Sequence, residues 1–170
     1  MVRMVRLTER IHGQYEQVPP VLRLEFDHVI REPLDELRVR VGGSSLGRRV
    51  HAEVGPIRMS KQTRDLPPRT LEIPVCWRAA EHPALFPTMH GHLRIRGAGR
   101  DAIELRLTGK YSPPLGALGA IGDRFAGHQA VTASLGTYLL EVAHRLDAKL
   151  AQHAPPAPSP PSRAQRERSP

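Results

Sequence analysis

Three successive segments between residues 69 and 111 alternate apolar and polar side chains with a period of two. They run over residues 69–78, 85–96 and 103–111, with short turn-like stretches between them. Such alternation is typical of strands that bury one face, and consecutive strands joined by short turns form an antiparallel meander. Pro74 has no N–H to donate, so it indicates an edge strand or irregular pairing in the first segment. The apolar face of this sheet must be covered by another element.

A long amphipathic helix is predicted to provide that cover. From Leu118 onward, apolar residues recur at spacings of three and four, and His128 and Thr132 fall on the same stripe. This spacing predicts a helix of roughly 30 residues, about 45 Å long, which is enough to span the whole sheet. The apolar members of the stripe are Leu118, Ile121, Phe125, Leu135, Leu139, Val142 and Leu146.

The N-terminal part of the chain gives shorter signals. Residues 21–31 alternate and predict a half-buried strand, and residues 33–37 resemble the entrance of a short helix. A second strand is predicted over residues 48–59, with a bulge or break at Gly55 and the following proline. Residues 1–13 either add a further strand or form no regular element. The order of elements predicts an α+β fold in which an antiparallel sheet grips a long C-terminal helix.

The composition divides the chain into three expected parts. Residues 1–19 form an N-terminal extension, residues 20–152 form the helix-grip domain, and residues 153–170 form a tail that is disordered or polyproline-like. Six of the 17 prolines lie after residue 153, where alanine supplies almost all of the apolar surface.

The net charge of +8 invites an interaction with nucleic acid. Each end of the chain carries an excess of two positive charges, which leaves about +4 on the domain, and aromatic residues make up only 4% of the sequence. We therefore expect a solvated basic face and no specific nucleic-acid binding. The alternative of a basic binding module, which would use the flexible ends, stays open. The basic patch would consist of Arg94, Arg96, Arg100 and Arg106.

The remaining composition favours a soluble cytoplasmic protein. A single cysteine, Cys76, excludes an internal disulfide framework and suits a reducing compartment. The sequence contains no run of about 18 apolar residues and no apolar leader, so neither a transmembrane segment nor a secretion signal is expected. The edge-strand option at Pro74 leaves dimerisation open, and the oligomeric state is not predicted.

The order of elements resembles the helix-grip fold of the START-like superfamily (SRPBCC), which includes polyketide cyclase/dehydrase-like and ligand-binding proteins. The resemblance covers about residues 20–152. It is carried by HVIREPLDEL (28–37), CWRAAEHPALFP (76–87) and LTGKYSPPLGALGAIGDRF (107–125), which leads into the helix. The resemblance implies a cavity between the sheet and the helix for a hydrophobic, lipid-like or polyketide-like molecule. We expect no cofactor. No catalytic residue of the family can be placed on this sequence.

The candidate ligand-binding residues lie on the predicted inner surfaces of the sheet and the helix. Large apolar side chains at these positions usually form core, whereas a polar pair on an apolar stripe needs a partner or a ligand. A histidine satisfied within the core is the competing interpretation for His128. The candidates are Trp77, Met89, Tyr111, Phe125, His128 and Thr132.

Two further types of chemistry remain as alternatives. A cyclase-type or dehydrase-type enzyme would use His128 and Tyr111 as acid and base on such a ligand. His90 and His92 stand at i and i+2 with His82 nearby, but this polar face favours no metal. Cys76 lies on the same polar face without a second cysteine, so no nucleophilic role is assigned to it.

Overall fold

The computed structural model describes residues 2–35, 38–39, 48–59, 70–79, 88–112 and 123–153. Seven strands form one sheet, in the order β1-β7-β6-β5-β3-β2, and β4 also pairs with β5. Every pairing is antiparallel. The strands are β1 (Arg3–His12), β2 (Arg38–Val39), β3 (Arg48–Val54), β4 (Arg58–Met59), β5 (Leu71–Ala79), β6 (Thr88–Gly97) and β7 (Ala102–Ser112). The helices are α1 (Val18–Phe26), α2 (Glu32–Asp35) and α3 (Asp123–His153).

The meander of β5, β6 and β7 is the one that the alternation predicts. Register runs from Leu71 opposite Ile95 to Trp77 opposite Met89, and β7 continues it on the other side of β6. We call the face that bears Trp77 and Met89 the inner face, and the face that bears His90 and Arg94 the outer face. Residues of β5 and β6 alternate between buried on the inner face and partly or fully exposed on the outer face.

Strand β1 settles the alternative left open for residues 1–13. It pairs with β7 along its whole length, from Arg3 opposite Tyr111 to His12 opposite Ala102. Val5 is buried on the inner face, and Leu7 and Ile11 pack against the core. This part of the expected N-terminal extension therefore belongs to the sheet, because β7 would otherwise leave its backbone groups unpaired at an edge.

The prediction of a strand over residues 21–31 is wrong. These residues are helical, in α1 followed by one π-helical stretch over Asp27–Arg31 that leads into α2. Prolines occupy the first turn of α1, where the missing N–H costs nothing. Val18, Val21 and Leu22 are buried whereas Leu24 is 74% exposed, so helical spacing, and not the alternation, decides which side chains enter the core.

The predicted break in the 48–59 strand is confirmed. β3 ends at Val54 and β4 begins at Arg58, and both pair with β5. Gly55 N–H donates to the Pro74 carbonyl oxygen at 2.9 Å. Within a strand, the N–H and C=O groups of one residue point towards the same neighbouring strand. Since the Pro74 carbonyl points towards Gly55, the position where Pro74 lacks an N–H also faces the break between β3 and β4. Pro74 thus sits inside the sheet at irregular pairing and not at an edge.

Helix α3 covers the inner face of the sheet, as the stripe predicts. Its 31 residues span about 46 Å, and it packs chiefly across β1. A Cβ atom built on Gly13 would lie within 3.3 Å of both Ile103 Cδ1 and Leu150 Cδ1. The C-terminal end of α3 therefore lies near the Ile103 end of β7. The chain has a helix-grip α+β fold.

The core between the sheet and the helices is almost entirely apolar. Residues of α3 enter it at the predicted three-and-four spacing, and they meet the inner face of the sheet together with α1 and α2. Among the described residues, no helix is both long enough and apolar enough to cross a membrane. Helix residues in the core are Val18, Val21, Leu22, Val29, Ile30, Leu34, Val131, Leu135, Tyr138, Leu139, Val142, Ala143, Leu146 and Leu150.

Candidate functional site

Three of the six predicted site residues lie side by side on the inner face. Trp77 is paired with Met89, and Met89 is paired with Tyr111, so the three side chains cross β5, β6 and β7 in one row. They are 1%, 0% and 3% exposed and belong to the apolar core. The structure therefore brings together an indole, a thioether and a phenol on the inner face.

Two glycines let Met89 lie along the sheet. Gly91 and Gly109 are paired with each other, two residues along β6 and β7 from the pair of Met89 and Tyr111, and therefore on the same face. A Cβ atom at Gly109 would lie 2.6 Å from Met89 Sδ, and one at Gly91 would lie 2.5 Å from the Thr108 carbonyl oxygen. Side chains at these two positions would displace Met89 and push the strands apart, so glycine sets the shape of the inner face here.

Helix α3 contributes two buried hydroxyl groups without partners. Thr132 Oγ1 and Tyr138 Oη are both inaccessible to solvent, and neither has a hydrogen-bond partner among the described residues. Thr132 is a predicted site residue, whereas Tyr138 was missed. Tyr138 stands three residues after Leu135 and seven after Val131, so the same helical spacing places it on the buried side.

The remaining two predicted residues, Phe125 and His128, belong to the first two turns of α3. Their side chains lie outside the part of the chain that the structure describes. The assignment of His128 and Tyr111 as acid and base therefore stays a prediction, as does their contact with a ligand.

Thr132 and Tyr138 are six residues apart on α3, which separates them by about 9 Å along the helix axis. Both hydroxyl oxygens are shielded from solvent.

Uncharged groups dominate this interior. The buried polar or charged residues of the described chain are Thr70, Ser134 and Glu104, and Glu104 belongs to the outer face. Burial raises the pKa of the Tyr138 hydroxyl far above its ordinary value of 10.0, so Tyr138 stays neutral. An interior of this kind suits a neutral guest, because an ion would lose its hydration without gaining an opposite charge.

A groove of about 610 Å³ lies on the opposite side of the sheet, at the break between β3 and β4. Cys76 Sγ stands 3.3 Å from His90 Nδ1 in this groove, and Lys110 is the next residue in the same row. His92 Nδ1 contacts Glu72 at 3.2 Å. The groove is lined by Glu53, Val54, Gly55, Pro74, Val75, Cys76, His90, Gly91, His92, Thr108, Gly109 and Lys110.

The histidine pair considered for metal binding lies on this outer face. No cluster of three or more His, Cys, Asp or Glu side chains suited to a metal ion occurs in the described ranges. His82 lies outside the described residues.

The predicted basic patch is also on the outer face, where carboxylates share it. Arg96 and Arg106 each donate to Glu104 Oε1, at 2.9 Å and 2.8 Å, and Arg10 lies 3.7 Å from its other oxygen. Burial alone would raise the pKa of Glu104, but the hydrogen bond from Arg96 and the surrounding arginine charges lower it. Arg94 donates to Glu72, and Arg100 is exposed in the turn before β7.

Comparison with known proteins shows that the chain shares its fold with solved structures. No protein-family model and no curated protein sequence matches the chain significantly. A conserved protein from Geobacillus kaustophilus matches with a TM-score of 0.50 at 12% identity, over 86% of this chain and 96% of that one. The Zhui aromatase/cyclase from a Streptomyces species matches with a TM-score of 0.46 at 14% identity, over 88% and 96% of the two chains.

A START superfamily protein from Mycobacterium smegmatis matches with a TM-score of 0.37 at 14% identity, over 89% of this chain and 99% of that one. At these identities the likeness concerns the fold and not the activity. The helix-grip α+β fold expected from the order of elements is the fold of this chain.

Proposed function

We propose that the chain binds a neutral, hydrophobic small molecule between the inner face of the sheet and α3. The observation that carries this proposal is the pair of buried, unpartnered hydroxyls at Thr132 and Tyr138. Each such group costs free energy when it is buried without a hydrogen bond, of the order of 1–3 kcal/mol. A guest that carries a hydroxyl or carbonyl oxygen would pair with them and recover that cost.

The apolar core on the inner face of the sheet would supply the apolar part of the interaction. Trp77, Met89 and Tyr111 present aromatic and thioether surface, and Met in particular adapts its shape to different guests. Within the described chain, no buried lysine, arginine or histidine faces this region. We therefore infer a molecule of the lipid-like or polyketide-like class with polar oxygen atoms but no net charge.

The single tryptophan of the chain makes this proposal directly measurable. Trp77 is 1% exposed and belongs to the wall, so its emission reports a guest without any label. The protein is titrated with neutral oxygen-bearing apolar molecules, such as sterols and polycyclic phenols, and with hydrocarbons of equal size. We expect a saturable change in emission for the first group and a weaker affinity for the second. The absence of a saturable change across the panel contradicts the proposal.

A matched pair of threonine variants tests the site itself. Thr132→Val removes the buried hydroxyl and keeps the shape, so we expect affinity for an oxygen-bearing guest to fall by about fivefold, the value of one neutral hydrogen bond. Thr137→Val is the control, since Thr137 is exposed on the same helix and its hydroxyl donates to the Ala133 carbonyl. Equal affinities of the two variants would remove Thr132 from the site.

A further inference from the structure

Two arginines face each other directly across β6 and β7 on the outer face. Arg94 is paired with Arg106 in the register of the two strands. Like charges at directly opposite positions destabilise a sheet, unless an anion lies between them. Both side chains are partly exposed, at 34% and 39%, so an ion from solvent can reach them.

Both guanidinium groups keep N–H groups that no described residue accepts. Arg94 donates from Nε to Glu72, and Arg106 donates from one Nη to Glu104. Arg106 Nε is buried and has no partner in the described part of the chain. The exposed part of each guanidinium still offers Nη N–H donors, and carboxylates and phosphates are the anions that the planar arrangement of these donors fits.

The local charge balance also favours an anion. Among the described residues, Arg94, Arg96, Arg106 and Arg10 contact two carboxylates, those of Glu72 and Glu104, which leaves two positive charges in excess. A phosphate monoester carries close to two negative charges at neutral pH. The cluster is therefore complementary to a phosphate group in both donors and charge.

The neighbouring groove provides room for the rest of such a molecule. On the outer face, the pair next to Arg94 and Arg106 is His92 and Thr108, and both of these residues line the groove of about 610 Å³. Its floor contains Pro74 and Gly91, which offer apolar surface without bulky side chains. We propose that the outer face binds a small phosphate ester, with its phosphate between Arg94 and Arg106 and its organic part in this groove.

The experiment compares two probes, inorganic phosphate and phenyl phosphate, by calorimetric titration at low salt. We expect both to bind with one-to-one stoichiometry and phenyl phosphate to bind several-fold more tightly. Arg106→Gln should weaken both by about tenfold, the value of a charge-assisted hydrogen bond. Arg23→Gln is the matched control, because Arg23 is exposed on α1 and outside the sheet, and it should leave both affinities unchanged.

Two results would overturn the assignment. Equal loss of phosphate affinity in Arg106→Gln and Arg23→Gln would show that net charge alone attracts the anion. Identical affinities for the two probes would remove the groove from the site. Should Arg106→Gln fail to fold, Arg94→Gln serves in its place, because it leaves all three arginine contacts of Glu104 intact. This site is independent of the interior proposed for the hydrophobic molecule.

Discussion

Replacing Tyr138 by phenylalanine is expected to stabilise the ligand-free protein. The ring of Tyr138 is 1% exposed within the core, and its hydroxyl is buried without a described partner. Phenylalanine keeps the packing of the ring and removes the polar atom that burial penalises. Since an unsatisfied buried hydroxyl costs about 1–3 kcal/mol, we expect the free energy of unfolding to rise by about 1–2 kcal/mol. For a domain of this size that corresponds to a rise in Tm of about 2–8 °C.

Urea unfolding of the wild type and Tyr138→Phe, with and without a guest identified by Trp77 emission, measures this effect. Without the guest, Tyr138→Phe should be more stable than the wild type. It should bind an oxygen-bearing guest more weakly, because it lacks the hydroxyl that would form a hydrogen bond with the guest. Tyr138→Ala is the packing control and should lose about 3–5 kcal/mol through the cavity it leaves. A loss of 1 kcal/mol or more in Tyr138→Phe would show that the hydroxyl is hydrogen-bonded in the folded protein, and would refute the reasoning.

Three further predictions concern the pH dependence and the sheet. Because burial raises the pKa of Tyr138, its phenol ionises above pH 10.0 in the unfolded chain but stays neutral in the folded protein, so the wild type should lose stability above that pH and Tyr138→Phe should be spared this loss in alkaline unfolding curves. Glu104→Gln should lower the free energy of unfolding at pH 7 by about 2 kcal/mol. Since the pKa of Glu104 is lowered, the deficit relative to the wild type should shrink as the pH falls below 4.5, in acid titrations followed by circular dichroism. Gly91→Ala should cost more than 2 kcal/mol through its backbone clash, whereas Gly136→Ala, which meets open space on α3, should gain about 0.5–1 kcal/mol in thermal melts.

Local patterns were sufficient for the part of the fold in which one period dominates. The alternation in β5, β6 and β7 and the stripe of α3 each reflect a single buried face, so side-chain polarity alone reports the element. The break after Val54 was readable for a similar reason, because glycine and proline restrict the backbone locally.

Residues 21–31 show where local patterns fail. Leu22, Leu24 and Phe26 alternate as in a strand, yet the same stretch also supports helical spacing, and only the position of the core decides between the two. Leu24 points to solvent at 74% exposure, so its apolar character carried no structural information.

The candidate site divides in the same way. Sequence periodicity alone determined that Trp77, Met89 and Tyr111 share the inner face, because the side-chain period of a strand is two. Only the tertiary structure decided that β1 completes the sheet and that Arg94 stands opposite Arg106. It also decided that the buried hydroxyls of Thr132 and Tyr138 find no partner among the described residues. Those facts depend on strand register and on contacts between distant segments, which are fixed by the packing of the whole domain and not by any local stretch of sequence.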